Sequence, residues 1–301
     1  MVSSSPWLDM QRRPKRRHLL QLDRSQRPVA ASADPIGRLV QQLQQRWAER
    51  IDLPVEQVLL CRSAEEALRL VCGAVLIPDD QVFLARPSPT SWPAAILGTG
   101  ATFIDVGRVV SGRPDPAVIK AVGPARLVIA GAPALTGAAD HHAWSDRDDL
   151  LLIDACLSAH LCGKPTPGAE LTLAALRDPH DQGNEVLWAL LGPAAAALRY
   201  LMGPSLLPAA WARRALSCLT VIDRQAQQDF EERLQARADE LEDKVALSPG
   251  QSWMPMAGVQ RAVSCLAADG QQLLAEFNRL GASAEAHGPF PGRGLVHVSL
   301  L

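Results

Sequence analysis

The chain has 301 residues, 48% of them hydrophobic, with 30 basic against 32 acidic side chains and a formal net charge of −2. That length suits one large or two medium domains, and the near-neutral balance excludes a global field that would recruit nucleic acid or an anionic membrane. The apolar stretch from Val186 to Leu201 is broken by Gly192 and Pro193, so it falls short of the about 18 uninterrupted residues of a membrane span.

In chain order, Met1 to Ser32 reads as a polar, Pro/Arg-rich arm. Within it Arg12-Arg13-Pro14-Lys15-Arg16-Arg17 concentrates cations, the composition of a solvated terminal arm or of a contact for phosphate or an acidic partner. From Pro35, the residues Ile36, Leu39, Val40, Leu43, Trp47 and Ile51 recur at helical spacing and predict an amphipathic helix. Short strands are then predicted at Gln57–Leu60, Gln81–Ala85, Thr102–Val106, Arg126–Ala130 and Leu150–Asp154. They are apolar throughout rather than alternating, which suits a mainly parallel sheet covered by helices on both faces. A helix is expected from Ala64 to Leu76, with Glu65 and Glu66 in its first turn favoured by the helix dipole. Val186–Leu191 reads as a further strand, and Trp211 to Lys244 as one long helix able to bridge a large and a small domain. The tail carries a helix at Gln271–Leu280, stopped by Gly281, and a terminal strand at Leu295–Leu300. The expected division is an arm over 1–32, a large domain over 33–222, and a connecting helix with a small C-terminal α/β domain over 223–301.

Six cysteines without a C-x-x-C pair, together with an N-terminus that has no apolar signal core, point to a cytoplasmic protein with reduced thiols. His141-His142 with Asp140 or Asp146 lacks metal-ligand spacing on a helix, so no metal is expected. Neither a Walker loop, nor G-x-S-x-G, nor G-x-G-x-x-G occurs.

Several segments resemble the class I/II aminotransferases of pyridoxal phosphate (PLP)-dependent fold type I, and within them the histidinol-phosphate aminotransferase and threonine-phosphate decarboxylase branch. Leu22-Asp23-Arg24-Ser25-Gln26-Arg27-Pro28 resembles L-N-x-N-E-N-P. Val58 to Leu68 is similar to V-x-x-G-x-G-S-D-E-A-L, with Ser63 and Ala64 in place of the glycine and serine that present a helix N-terminus to the cofactor phosphate. Ile77 to Trp92 resembles L-x-P-G-D-x-V-L-v-x-x-P-T-Y-x-x-Y. There Pro89 replaces the first aromatic, and Trp92 fills the second as a ring that would stack on the cofactor or cap the core.

Ala132 to Gly137 is similar to N-P-N-N-P-T-G, with Ala134 in place of the asparagine that bonds the cofactor O3′. Leu151 to Leu157 resembles V-v-v-D-E-A-Y. The resemblance makes Asp154 the carboxylate that pairs with the pyridine nitrogen, and it puts Leu157 in the tyrosine's place. Val186 to Arg199 is similar to S-x-S-K-x-x-G-L-x-G-x-R. With Arg199 set on the arginine that grips the cofactor phosphate, the lysine that forms the Schiff base falls at Leu191. In the resembled families that lysine follows the aspartate by roughly thirty residues, at the end of the next strands. His297, in Leu295-Val296-His297-Val298-Ser299, replaces the arginine that clamps a substrate carboxylate.

The resemblance therefore implies an aminotransferase-like body that has lost its PLP lysine. Its cofactor contacts would reduce to Asp154, Arg199 and Trp92, it would have no catalytic residue, and any PLP would be held noncovalently. Three readings stay open: a pseudoenzyme with a regulatory, scaffolding or non-catalytic subunit role, paired with itself or with an active paralogue; an active PLP-dependent aminotransferase or amino-acid phosphate decarboxylase with an atypical site; and a binder of a small phosphorylated ligand.

Overall fold

The computed structural model describes residues 35–84, 91–105, 125–131, 150–156, 158–199, 207–254, 259–266, 268–290 and 293–300. The N-terminal arm with its basic run, Pro89, Ala134, Leu157 and the pair His141-His142 lie outside these residues, and so do the side chains of Asp154 and His297.

A first helix, α1 (Pro35–Ile51), leads through a short 3-10 turn (Val55–Gln57) into β1 (Val58–Cys61) and α2 (Ala64–Val75). Then come β2 (Gln81–Leu84), α3 (Ser91–Leu97), β3 (Thr102–Asp105), β4 (Leu127–Gly131) and β5 (Leu150–Asp154). β6 (Leu171–Arg177) and β7 (Glu185–Leu191) follow, with α4 (Pro193–Arg199), α5 (Ala209–Val221) and α6 (Arg224–Lys244) after them. The chain closes with β8 (Ser252–Met254), β9 (Gln260–Leu266), α7 (Gly270–Arg279), β10 (Ala284–Phe290) and β11 (Arg293–Ser299).

Two sheets result. The larger has seven strands in the order β1-β7-β6-β5-β4-β2-β3, and the smaller has four in the order β10-β11-β9-β8. In the larger sheet β6, β5, β4, β2 and β3 run parallel, while β7 is antiparallel to both of its neighbours, β1 and β6. The mainly parallel sheet is thus present, with one reversed strand inside it.

Alternate side chains of the apolar strands feed two cores, as the period of two requires. Leu60, Ala174, Leu176, Ala189 and Leu191 join one core with Leu43 and Trp47 of α1, residues of α5 and α6, and Val263, Phe277 and Val296 around the smaller sheet. Leu59, Leu171, Leu173, Ala175 and Leu190 join the other with residues of α2, α3 and α4. Helices therefore cover both faces, which explains why these strands carry no polar alternation.

Two expectations change. The long helix predicted from Trp211 to Lys244 is two helices, because Asp223 leaves the helical conformation and caps α6, accepting the Ala226 N–H at 2.8 Å on Oδ1. β6, which no sequence signal singled out, occupies the middle of the sheet and is buried along its whole length. No described helix is long and apolar enough to cross a membrane.

Candidate functional site

Parallel strands deliver their loops, and with them any ligand site, to the edge where their C-terminal ends lie. Here that edge carries the end of β5 at Asp154, the end of β6 at Arg177, the start of β7 at Glu185, and the start of α2 after β1. Asp154 stands level with Leu173 on β6, which pairs with Leu190, which in turn pairs with Leu59. β1 is therefore three strand spacings from Asp154, about 14 Å.

The structure does not bring Arg199 to this edge. Its Nη2 lies 3.5 Å from the carbonyl oxygen of Val55, in the turn that precedes β1. The start of α4 is tied down nearby, with Gly192 N–H donating to Gln57 O at 3.0 Å and Ala194 N–H to Glu170 O at 3.2 Å. Ser63 and Ala64 follow the other end of β1, a four-residue strand of about 13 Å. One phosphate cannot reach both. An open surface hollow of about 420 Å³, lined by Gln41, Gln45, Glu49, Asp52 and Leu53 among others, also lies on the Val55 side.

Leu191 is displaced from the expected place for a similar reason. It is the last residue of the reversed strand, pairs with Val58 and Thr172 near the starts of β1 and β6, and is fully buried in the core that also holds residues of α1, α5 and α6. A lysine at this position would end in that core rather than in a cleft. The error lay in fixing the register on Arg199: the strand–turn–helix is real, but it sits at the other end of the sheet. The residues that finish the strand beside Asp154 are Leu176 and Arg177, and the turn after them is Asp178-Pro179-His180-Asp181-Gln182-Gly183-Asn184. Neither segment contains a lysine.

Two lysines are described. Lys164 is exposed on the segment that follows β5 and runs back along β6, through the Cys162–Leu176 bridge and the Gly163 N–H to Ala175 O bond. Burial pushes the neighbouring His160 below its ordinary range, and the Lys164 charge adds to this against Glu231 of α6. Lys244 ends α6 in an ion pair with Glu240 at 2.6 Å.

At the start of α2 the Glu66 and Ala67 amides have partners within the chain, both on Ser63. Ser63 Oγ accepts the Glu66 N–H at 3.0 Å, while the Glu66 carboxylate accepts the Arg62 N–H and pairs with its guanidinium at 2.7 Å. Burial pushes the Glu66 carboxyl up, yet the bonds and charge from Arg62 leave it below its ordinary range. Ser91 Oγ donates to Glu65 at 3.4 Å. An incoming phosphate would meet two glutamates here.

Trp92 opens α3 at 2% exposure, within the core that holds Val71, Val75 and Ile96, so its ring faces are covered by protein. Its Nε1 has no hydrogen-bond partner among the described residues. Of the three expected cofactor contacts, Trp92 serves as core packing, Arg199 lies beyond the opposite end of β1, and Asp154 keeps its place at a strand end.

What does occupy the edge is a buried ionic cluster that sequence reasoning missed. Arg177 is fully buried. Its Nη1 donates to Gly183 O at 3.0 Å, and its Nη2 donates to Cys156 O and lies 3.0 Å from Glu185 Oε1. Glu185 has a side chain 30% exposed. Burial pushes its carboxyl above the ordinary glutamate range, the Arg177 charge opposes this, and the charge of Glu65 reinforces it. Among the described residues, no group of His, Cys, Asp and Glu is arranged to hold a metal ion.

No protein-family model and no curated protein sequence matches the chain. Solved structures do. The methionine aminotransferase YbdL of Escherichia coli superposes with a TM-score of 0.66 at 17% identity, over 86% of this chain and 78% of that one. Histidinol-phosphate aminotransferase from Sinorhizobium meliloti, solved in complex with pyridoxal-5′-phosphate, gives 0.66 at 16% identity over 89% and 77%. The cysteine desulfurase CsdA of E. coli gives 0.59 at 14% identity over 91% and 81%. The chain has the aminotransferase fold, PLP-dependent transferase fold type I. At such identities the likeness extends to the fold alone, and the site must be argued from its own residues.

Tested against PLP, the described residues at this edge do not fit. The phosphate end would face Glu65 and Glu66 without Arg199. The place for a covalent anchor, beside the end of β6, holds an arginine already committed to Glu185 and two carbonyls.

Proposed function

We propose that the chain is a non-catalytic protein on the aminotransferase fold, with no Schiff-base lysine, acting as a regulatory, scaffolding or non-catalytic subunit that pairs with itself or with an active paralogue. The observation that carries this reading is the Arg177–Glu185 pair at the end of β6. A lysine that forms an imine and then moves a proton must stand free in a cleft. Here the strand end is closed by a buried guanidinium, and the segment behind it offers Asp178, His180 and Asp181 but no amine. The acidic start of α2 also argues against a site for small phosphorylated ligands.

Turnover tests the reading. The purified protein is supplied with PLP and a panel of amino acids, and conversion to pyridoxamine phosphate is followed by absorbance. No conversion above the protein-free rate is expected; amino-acid-dependent conversion at enzymatic rates overturns the reading.

A further inference from the structure

The cluster at the strand ends joins three separate pieces of chain through one cation. Arg177 reaches the Cys156 carbonyl just beyond β5, the Gly183 carbonyl in the turn, and the Glu185 carboxylate at the head of β7. The turn is held from outside as well. Gly183 has φ +80°, and a Cβ there would come within 2.3 Å of the Phe230 ring of α6. Arg233 Nη2 donates to Pro179 O at 3.2 Å, and Arg214 of α5 pairs with Asp178 at 3.2 Å and Asp181 at 2.7 Å. A buried guanidinium left without its counter-charge is strongly destabilising, whereas a matched pair exchanged for apolar side chains of similar volume is tolerated.

We propose that Arg177 is a resident replacement for a cofactor: a structural cation that ties β5, β6 and β7 together at their shared edge and keeps that edge closed to phosphorylated ligands. The closure rests on the non-catalytic reading above; the tie does not. Open α/β sheets bind their ligands outside the carboxyl ends of the strands, and here the protein's own side chain bridges that edge.

The test is thermal unfolding of the full chain as wild type, Arg177→Met, Glu185→Leu and the double variant, each with and without saturating PLP. Arg177→Met should lower the melting temperature by on the order of 10 °C, because Glu185 and two carbonyls lose their partner together. The double variant should recover most of that loss. PLP should leave the wild-type melting temperature unchanged. If Arg177→Met does not fold, Glu185→Gln carries the test: it keeps an acceptor but removes the counter-charge, and it should unfold several degrees below wild type.

Wild-type melting in Arg177→Met, or in Glu185→Gln where that variant carries the test, overturns the tie. A double variant as unstable as the sum of its singles does the same. A rise of several degrees in the wild type on adding PLP overturns the closure. Failure of the non-catalytic reading is separate: it appears as amino-acid-dependent turnover, whatever the Arg177 variants do.

Discussion

Arg177 and Glu185 form the last register pair of the β6–β7 ladder, and their side chains meet at 3.0 Å. The antiparallel ladder, rather than an encounter of surface chains, sets a cation opposite a carboxylate at the strand end beside Asp154. β7 turns back at once after the turn 178–184, so this edge is built from residues close in sequence. Its contacts are ionic and internal to the chain.

Arg199 should play no part in binding PLP. Its guanidinium lies 3.5 Å from Val55 O, at the opposite end of β1 from the start of α2. Calorimetric titration of PLP should give the same result for Arg199→Ala as for the wild type. A loss of PLP binding confined to the variant would return Arg199 to the phosphate site.

Gly183 should tolerate no side chain. Its positive φ disfavours any L-residue, and a Cβ would press into Phe230. Gly183→Ala is expected to cost about 2 to 4 kcal/mol by urea denaturation. Adding Phe230→Leu should relieve the steric part and leave the backbone part. Wild-type stability in Gly183→Ala would mean that the turn is free to move.

Asp178 gives the acid-side signature. Burial pushes its carboxyl up, but the His180 N–H and the Arg214 guanidinium outweigh this and hold it below the usual aspartate range. A depressed folded value adds stability above the unfolded value and loses it as pH falls through the folded value. The stability gap between wild type and Asp178→Asn should therefore be on the order of 1 kcal/mol near neutrality, the exposure of Arg214 keeping it small. It should close as the pH is lowered below about 4. A gap that widens toward acid pH would contradict the assignment.

The break between α5 and α6 depends on one cap. Asp223→Ala should cost about 1 kcal/mol, because the Ala226 N–H loses its acceptor. Asp223→Asn should retain most of that. Equal stability of Asp223→Ala and wild type would show that the helices are set by packing alone.

Much of the fold was legible because its strands are short apolar runs between breakers: Gln81, Thr102 and Leu150 each begin a strand predicted in this way. β6 was missed because Leu171 to Leu176 is mostly leucine and alanine, residues with no strong strand preference, and only the neighbouring strands make it one. Asp223 was read as helix interior because an aspartate's capping role depends on backbone geometry that composition does not carry. The site was less legible still. Spacing alone set Leu191 and Arg199 on a motif, while the direction of β7, which decides the edge of the sheet to which they belong, is a tertiary property. Arg177 became informative only once its partners were in place.

The most direct measurement is borohydride reduction of the purified protein in excess PLP, followed by peptide mapping of all four lysines, Lys15, Lys120, Lys164 and Lys244. The account predicts no pyridoxyl mass addition at any of them beyond the trace modification of an unfolded control. A stoichiometric adduct on a single lysine of the folded protein would contradict it.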